Sequence, residues 1–141
     1  MRSLKMMLAA LAIAVLTTGC AVNRTSAMVD PATKFDTLKS FHVKPHDKDE
    51  RNVDKLIADN LRARGFKVST GKEPAGPVDA VVTYVDKWMW DITMYMIQLD
   101  VQVRDPGSQV VMASATSYRP SLQRVAPDKM VEEVVNEIFK Q

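Results

Sequence analysis

Residue types that carry chemistry are scarce in this chain. The 141 residues include one cysteine, two histidines and five glycines. A single cysteine cannot form a disulfide within the chain, and neither histidine stands near a serine in an arrangement known for nucleophilic catalysis. The glycines are isolated, so they form no phosphate-binding loop. We therefore predict a protein that is not an enzyme, with no catalytic residues, no metal site and no cofactor.

What the sequence has instead is an N-terminal segment typical of a secretory signal. Arg2 and Lys5 precede an uninterrupted apolar run at residues 6–16, after which small polar residues lead to Cys20. As a helix, the run would span about 16 Å, roughly half of the hydrocarbon core of a bilayer. It is too short to remain as a membrane span, so we expect residues 1–19 to be a cleaved signal peptide.

The end of this segment, residues 16–20, is similar to the lipobox of bacterial lipoproteins, with Gly19 directly before Cys20. The resemblance implies that Cys20 becomes the amino terminus and is the site of lipid attachment. Several acyl chains, palmitate among them, would then hold the protein on the membrane. Ala21 stands where enterobacterial lipoproteins retained at the inner membrane have aspartate. The resemblance therefore implies the periplasmic face of the outer membrane.

The chain has no excess of positive charge once the signal peptide is removed. The full chain has 19 Lys and Arg against 17 Asp and Glu, and residues 1–19 hold two basic residues and no acidic one. The rest of the chain therefore carries 17 charges of each sign. Nucleic-acid binding depends on clustered positive charge, so we expect no nucleic-acid partner.

The remaining chain is long enough for one compact domain behind a short tether. Residues 20–34 are small and polar without a clear period, and we expect them to form the acylated cysteine and a flexible tether. Strands are predicted at residues 41–43, 66–69, 78–85, 92–104 and 109–118. The last two are joined by an Asp-Pro-Gly-Ser turn, and residues 97–104 alternate between apolar and polar.

Two amphipathic helices complete the domain, which spans residues 35–141. Asp47 and Glu50 have the spacing of a capping box, so the first helix is predicted to begin there and to end at Gly65. Pro127 suits the first turn of the second helix, whose apolar residues form one stripe. These patterns predict a two-layer α+β sandwich: a mixed, mostly antiparallel sheet of 4–5 strands with both helices on one face.

Several short stretches of the domain match the pattern of a known family. They are Phe35-Asp36, Phe41-His42-Val43, Leu61 with Arg64-Gly65-Phe66, residues 79–84, Leu99-Asp100-Val101 before Asp105, and the final helix. In these the chain resembles small Gram-negative outer-membrane lipoproteins built on a domain of unknown function, with a strand-helix-meander-helix plan. Other periplasmic accessory lipoproteins, including the one of lipopolysaccharide assembly, are similar in general plan. The resemblance implies no catalytic residues.

The most unusual segment holds both tryptophans and three of the nine methionines. Its candidate binding residues are Trp88, Met89, Trp90, Ile92, Met94, Tyr95 and Met96. Strand alternation places Ile92, Met94 and Met96 on the face of Gln98 and Asp100, which is expected to meet solvent. An apolar surface there indicates a docking site, because Trp and Met are enriched at interfaces. The alternative is a second small core, covered by Met28, Val29, Leu122 or Val125.

These observations predict a periplasm-facing accessory lipoprotein that binds another envelope component, a protein or a glycan, through this segment. One alternative is binding of a soft metal, copper as Cu(I), by the thioethers of Met94 and Met96, assisted by His42 or His46. A second alternative is a cell-envelope hydrolase, which would have to use the same histidines and the carboxylates next to His46.

Overall fold

The computed structural model describes residues 23–140, so the expected signal peptide and Cys20 lie outside the described residues. The strands are β1 (Arg24–Val29), β2 (Ser40–Val43), β3 (Lys67–Thr70), β4 (Ala80–Asp91), β5 (Thr93–Arg104) and β6 (Val111–Tyr118). The helices are α1 (Val53–Ala63) and α2 (Pro127–Phe139), with short 3₁₀ turns at Phe35–Thr37 and Ser121–Gln123. In the described part of the chain, no helix has the length and apolar character to cross a membrane.

The six strands form one mixed sheet in the spatial order β1-β6-β5-β4-β2-β3. β1, β6, β5 and β4 are antiparallel neighbours, whereas β2 runs parallel to both β3 and β4. α1 supplies the crossover that the parallel pair β2 and β3 requires. The α+β class and the mixed, mostly antiparallel sheet are confirmed. The predicted count of 4–5 strands is wrong, because residues 23–140 form six.

The strand that the sequence pattern missed is β1, which lies within the segment predicted to be a flexible tether. It pairs with β6 along its whole length, from Arg24 opposite Tyr118 to Val29 opposite Ala113. β1 is an edge strand with mostly exposed side chains, so backbone hydrogen bonds rather than an apolar pattern hold it in the sheet. The tether prediction is therefore corrected for residues 24–29.

The core lies between the helices and one face of the sheet, because apolar residues of β2, β4, β5 and β6 join those of both helices in a single cluster. Its largest fully buried members include Phe41, Ile57, Met96, Leu99, Met130 and Ile138. On the opposite face, which we call the open face, Gln98, Asp100, Gln102 and Arg104 keep partial contact with solvent. The predicted alternation of β5 is thus confirmed from Leu99 to Arg104.

The alternation of β5 is interrupted by a β-bulge at Ile97. Lys87 of β4 lies opposite Gln98, but the next residue, Trp88, lies opposite Met96, so Ile97 is an extra residue in β5. A one-residue shift moves every later side chain to the other face of the sheet. Met96 is consequently buried in the core with no exposed surface. The prediction that Met96 shares the open face with Gln98 is wrong.

The two residues at the bulge allow a matched test of this geometry. We expect Met96→Ala to lower the free energy of unfolding by about 2–4 kcal/mol, because it leaves a cavity in the core. Ile97→Ala removes a half-buried side chain and should lower it by only about 1 kcal/mol. Urea unfolding of both variants measures the difference. The opposite order of the two values would mean that β5 alternates without a bulge.

Candidate docking site at the end of the β4–β5 hairpin

The candidate site lies where β4 and β5 extend beyond the rest of the sheet. β6 ends at Tyr118, opposite Gln98, so beyond that level the two long strands pair only with each other. We call residues 88–96 the hairpin end. Its turn is tight, with Asp91 paired to Thr93, and Ile92 between them has a φ of 63°. Positive φ is strained for a β-branched residue, and here it leaves the Ile92 side chain 86% exposed.

The seven predicted binding residues divide into an exposed and a covered set. Trp90 is 70% exposed and Met94 41%, and these two lie opposite each other, next to Ile92 in the turn. Met89 is 48% exposed, but it lies opposite Tyr95 and so on the other face of the hairpin. Met96 and Tyr95 are buried, and Trp88 is partly buried against the core. The structure therefore exposes four of the seven and brings three of them, Trp90, Ile92 and Met94, together. The other three hold the hairpin end in place.

Trp90 and Met94 lie on the helix side of the sheet, and this corrects the predicted face of Met94. The bulge places Met96 on the core side, and Met94, two residues away on the same strand, points the same way. Trp90 is directly opposite Met94, just as Trp88 is opposite Met96. The pair of Trp90 and Met94 continues the core face outward, past the end of the buried cluster. Ile92 belongs to neither face, because it lies in the turn.

Trp88 is held by a polar network on the helix side of the hairpin end. Its indole Nε1 donates to Asp86 at 2.5 Å, and the same carboxylate accepts a 2.5 Å hydrogen bond from His46 Nε2. The Arg51 guanidinium lies 4.3 Å from the centre of the Trp88 ring, a cation–π contact. The Asp86 side chain is only 5% exposed, so these donors satisfy a nearly buried carboxylate. The network ties residues 44–52 to β4.

A second carboxylate, Asp49, orders the start of α1. It accepts hydrogen bonds from the Tyr84 hydroxyl at 2.5 Å and from the backbone N–H groups of Arg51 at 2.8 Å and Asp54 at 3.2 Å. Burial acts to raise the pKa of Asp49, but these hydrogen bonds outweigh it and hold that pKa below its ordinary value. Burial, followed by the bond to Asp49, raises the pKa of Tyr84.

The predicted capping box is wrong, because α1 begins at Val53 rather than near Asp47. The residue before the helix, Asn52, has a left-handed conformation and makes no side-chain capping bond. Asp49 satisfies the free N–H of the first turn from outside the helix. The carboxylate that supports the helix start is Asp49, not the predicted Asp47 or Glu50.

Residues 119–125 cover part of the open face of the hairpin end, around Tyr95 and Thr93. Arg124 lies 4.7 Å from the centre of the Tyr95 ring and donates to Thr93 Oγ1 at 2.9 Å. The Ser121 hydroxyl donates to Asp91. These contacts explain why Tyr95 is buried on a face that is otherwise open. Leu122 lies between Ser121 and Arg124 in the sequence and is 91% exposed. It therefore does not cover the apolar surface in the way that the second-core alternative requires.

The remaining covering candidates also leave the surface open. Met28 is 76% exposed, while Val29 and Val125 pack against the main core. Exposed Trp90, Ile92 and Met94 show that the hairpin end is not a second buried core within the described residues.

Both histidines use their ring nitrogens in hydrogen bonds within the protein. His42 is buried, and its ring nitrogens bond Ser69 Oγ and the Gly71 carbonyl, both at 2.8 Å. His46 bonds Asp86 through Nε2, and its Nδ1 accepts from the Lys48 backbone N–H at 3.1 Å. All four ring nitrogens are therefore occupied by the protein itself. Among residues 23–140, no three His, Cys, Asp or Glu side chains are grouped as metal ligands.

No family model and no curated protein sequence matches the chain. Its fold is similar to that of the PelC dodecamer from Paraburkholderia phytofirmans, with 14% identity over 83% of this chain and 98% of that chain, at a TM-score of 0.62. A leucine-to-methionine variant of the same dodecamer is 15% identical over 84% of this chain and 95% of that chain, with a TM-score of 0.58. A PDZ domain protein from Parabacteroides distasonis is 11% identical over 89% of this chain and 37% of that chain, with a TM-score of 0.52. At these identities the likeness is one of fold alone.

The two tryptophans should respond differently to truncation. We expect Trp88→Ala to lower the free energy of unfolding by about 2–4 kcal/mol, because it removes core packing and leaves the nearly buried Asp86 short of a donor. Trp90→Ala should change it by no more than about 0.5 kcal/mol, because that side chain is largely in solvent. Urea unfolding followed by circular dichroism measures both. Equal losses would mean that Trp90 is packed and that the surface is not free to dock.

The Tyr84–Asp49 hydrogen bond should make stability depend on pH. Because the pKa of Asp49 is lowered in the fold, its ionised form stabilises the protein above the ordinary carboxyl range, and this stabilisation disappears as pH falls through the folded-state pKa. We expect Tyr84→Phe to lose about 1–2 kcal/mol at neutral pH and progressively less below about pH 4. Thermal unfolding across pH 2–7 tests this, with Tyr118→Phe as the control. A loss that stays constant with pH would contradict the assignment.

Proposed function

We propose that this chain is a non-enzymatic lipoprotein of the Gram-negative cell envelope, anchored through acyl chains on Cys20 at the periplasmic face of the outer membrane. Its α+β domain, a two-layer sandwich, docks another envelope component through the hairpin end. The observation that carries the proposal is the exposed apolar surface of Trp90, Ile92 and Met94 on a projecting hairpin. The lipobox-like residues 16–20 and the resemblance to small outer-membrane lipoproteins support the anchor.

The hairpin end has the properties expected of a docking element. Tryptophan and methionine are enriched in interfaces, and a patch of exposed apolar side chains often marks an interaction site. The supporting contacts of Trp88, Tyr95 and Arg124 hold the exposed residues on an ordered scaffold. Docking through an ordered element loses little conformational entropy, so a small surface can bind usefully.

The alternative functions receive less support from the geometry. A copper site would need both thioethers at the surface, but Met96 is fully buried while Met94 is exposed. A hydrolase would need a histidine nitrogen free to accept a proton from a nucleophile, and the nitrogens of His42 and His46 are bonded within the protein. Neither alternative explains why Trp90 and Ile92 are exposed.

The anchor is tested by replacing the acylated residue. We expect Cys20→Ser to move the protein from the outer-membrane fraction to the soluble periplasmic fraction or to leave it as uncleaved precursor, because no acyl chain can attach. The matched control is Ala21→Asp in an enterobacterial host, which should stay on membranes but shift to the inner membrane. Immunoblots of separated membranes measure both. Unchanged outer-membrane fractionation of Cys20→Ser would contradict the anchor.

The docking part is tested in the same cells with a photo-crosslinking amino acid. Placed at position 90, it should attach to an envelope component on irradiation, whereas at position 110, an exposed site on the β5–β6 turn, it should not. Because PelC, whose fold is similar, is a dodecamer, attachment to a second copy of the chain is a distinct positive result. Equal yields at the two positions would contradict docking through the hairpin end.

A further inference from the structure

The directions of the strands place the start of the domain at the same end of the sheet as the docking surface. β6 runs toward the hairpin end, and β1 is antiparallel to it, so β1 begins at that end. Arg24 lies opposite Tyr118, which lies opposite Gln98, which lies opposite Lys87. The first residue of β1 is therefore level with the base of the projecting hairpin.

The chain between Cys20 and β1 is about as long as the hairpin projection. From Lys87 to Asp91 the hairpin extends four residues past the start of β1, which is about 13 Å at the rise of a strand. From Cys20 to Arg24 there are also four residues, which reach at most about 14 Å when fully extended. An anchored Cys20 can thus be level with the hairpin turn but scarcely beyond it.

The surface chemistry at this end suits the boundary between lipid and water. Trp90, Ile92 and Leu122 are the most exposed large apolar side chains here, and Leu122 belongs to the segment bonded to the hairpin turn. Tryptophan is concentrated at the headgroup level of membranes, where its amphipathic ring is stable. Arg51 and Arg124 lie over the rings of Trp88 and Tyr95 at the same end, and long basic side chains suit the headgroup level of a membrane.

We propose that the hairpin end rests on the lipid bilayer in which Cys20 is anchored, with Trp90 and Ile92 among the headgroups. The proposal rests on the proposed anchor at Cys20 and names the envelope component that the hairpin end docks. A protein partner would have to fit between the hairpin turn and a membrane that the short connection holds close to it. The acyl chains and the hairpin end then form two contacts with one surface and set the orientation of the domain.

Depth-dependent quenching of tryptophan tests the proposal on the acylated protein. The protein is purified with its acyl chains confirmed by intact mass and reconstituted in vesicles of phosphatidylethanolamine and phosphatidylglycerol, with or without brominated acyl chains. We expect bromine to quench emission from wild type roughly twofold more than from Trp90→Phe, in which only Trp88 remains. The control carries Val110→Trp together with Trp90→Phe, and its added tryptophan at the far end of the sheet should be unquenched.

Each other outcome overturns the inference in a different way. Equal quenching of wild type and Trp90→Phe on acylated protein shows that the hairpin end is off the bilayer, while the anchor at Cys20 stands. Blue-shifted Trp90 emission without quenching shows that protein covers the surface instead, either a partner or a second copy of the chain. A mass without acyl chains overturns the proposed anchor and this inference together. Circular dichroism of Trp90→Phe, expected to match wild type, verifies that the fold is intact.

Discussion

The alternation of side chains along β5 is the constraint on which the hairpin end depends. Leu99, Val101 and Val103 fill the core, and strict alternation would continue with Ile97 and Tyr95. The extra residue at Ile97 replaces them with Met96 and then Met94. Trp88 and Met96 therefore close the end of the core, while Trp90 and Met94 extend the same face into solvent. One inserted residue thus creates both the end of the core and the start of the exposed apolar surface.

The polar network beside Trp88 explains how a projecting hairpin stays ordered. Asp86 is nearly buried and would be unfavourable there without its two donors, His46 and Trp88. The bond from His46 joins the loop of residues 44–52 to β4, and the bond from Trp88 fixes the indole ring against its own strand. On the other face, Arg124 does the same for Tyr95 and Thr93. Trp90 and Met94 continue the braced helix side outward, so they are held on an ordered hairpin, which favours recognition by a fixed surface.

The sequence predicted those features that depend on periodic burial of side chains. The polar alternation from Leu99 to Arg104 and the apolar stripe of α2 were correct because each follows from one face meeting the core. β1 was missed because an edge strand held by its backbone needs no apolar period. The helix cap was misplaced because Asp49 bonds Tyr84, which is 35 residues away in the sequence. Such long-range contacts leave no local pattern.

The candidate site shows the same division between local composition and geometry. The concentration of Trp and Met in residues 88–96 was visible in the sequence, and Trp90, Ile92 and Met94 are indeed exposed. Which of the seven side chains would be covered was not visible, because Met96 depends on the bulge and Tyr95 depends on Arg124. A β-bulge has no reliable sequence signal, since it arises from pairing between two strands.

The charge balance determines which interactions could bind such a domain to a bilayer. With 17 residues of each sign after position 19, the domain gains little from the general attraction between basic proteins and anionic lipids. Contact at the hairpin end would therefore depend on apolar burial and on acyl chains that keep the domain within reach of the surface. Burial of a few side chains is too weak to localise a free protein. Beside a lipid anchor, the same burial would be enough to orient the domain. The anchor would keep the side chains close to the bilayer at a high effective concentration, so their burial would only have to favour one orientation over others.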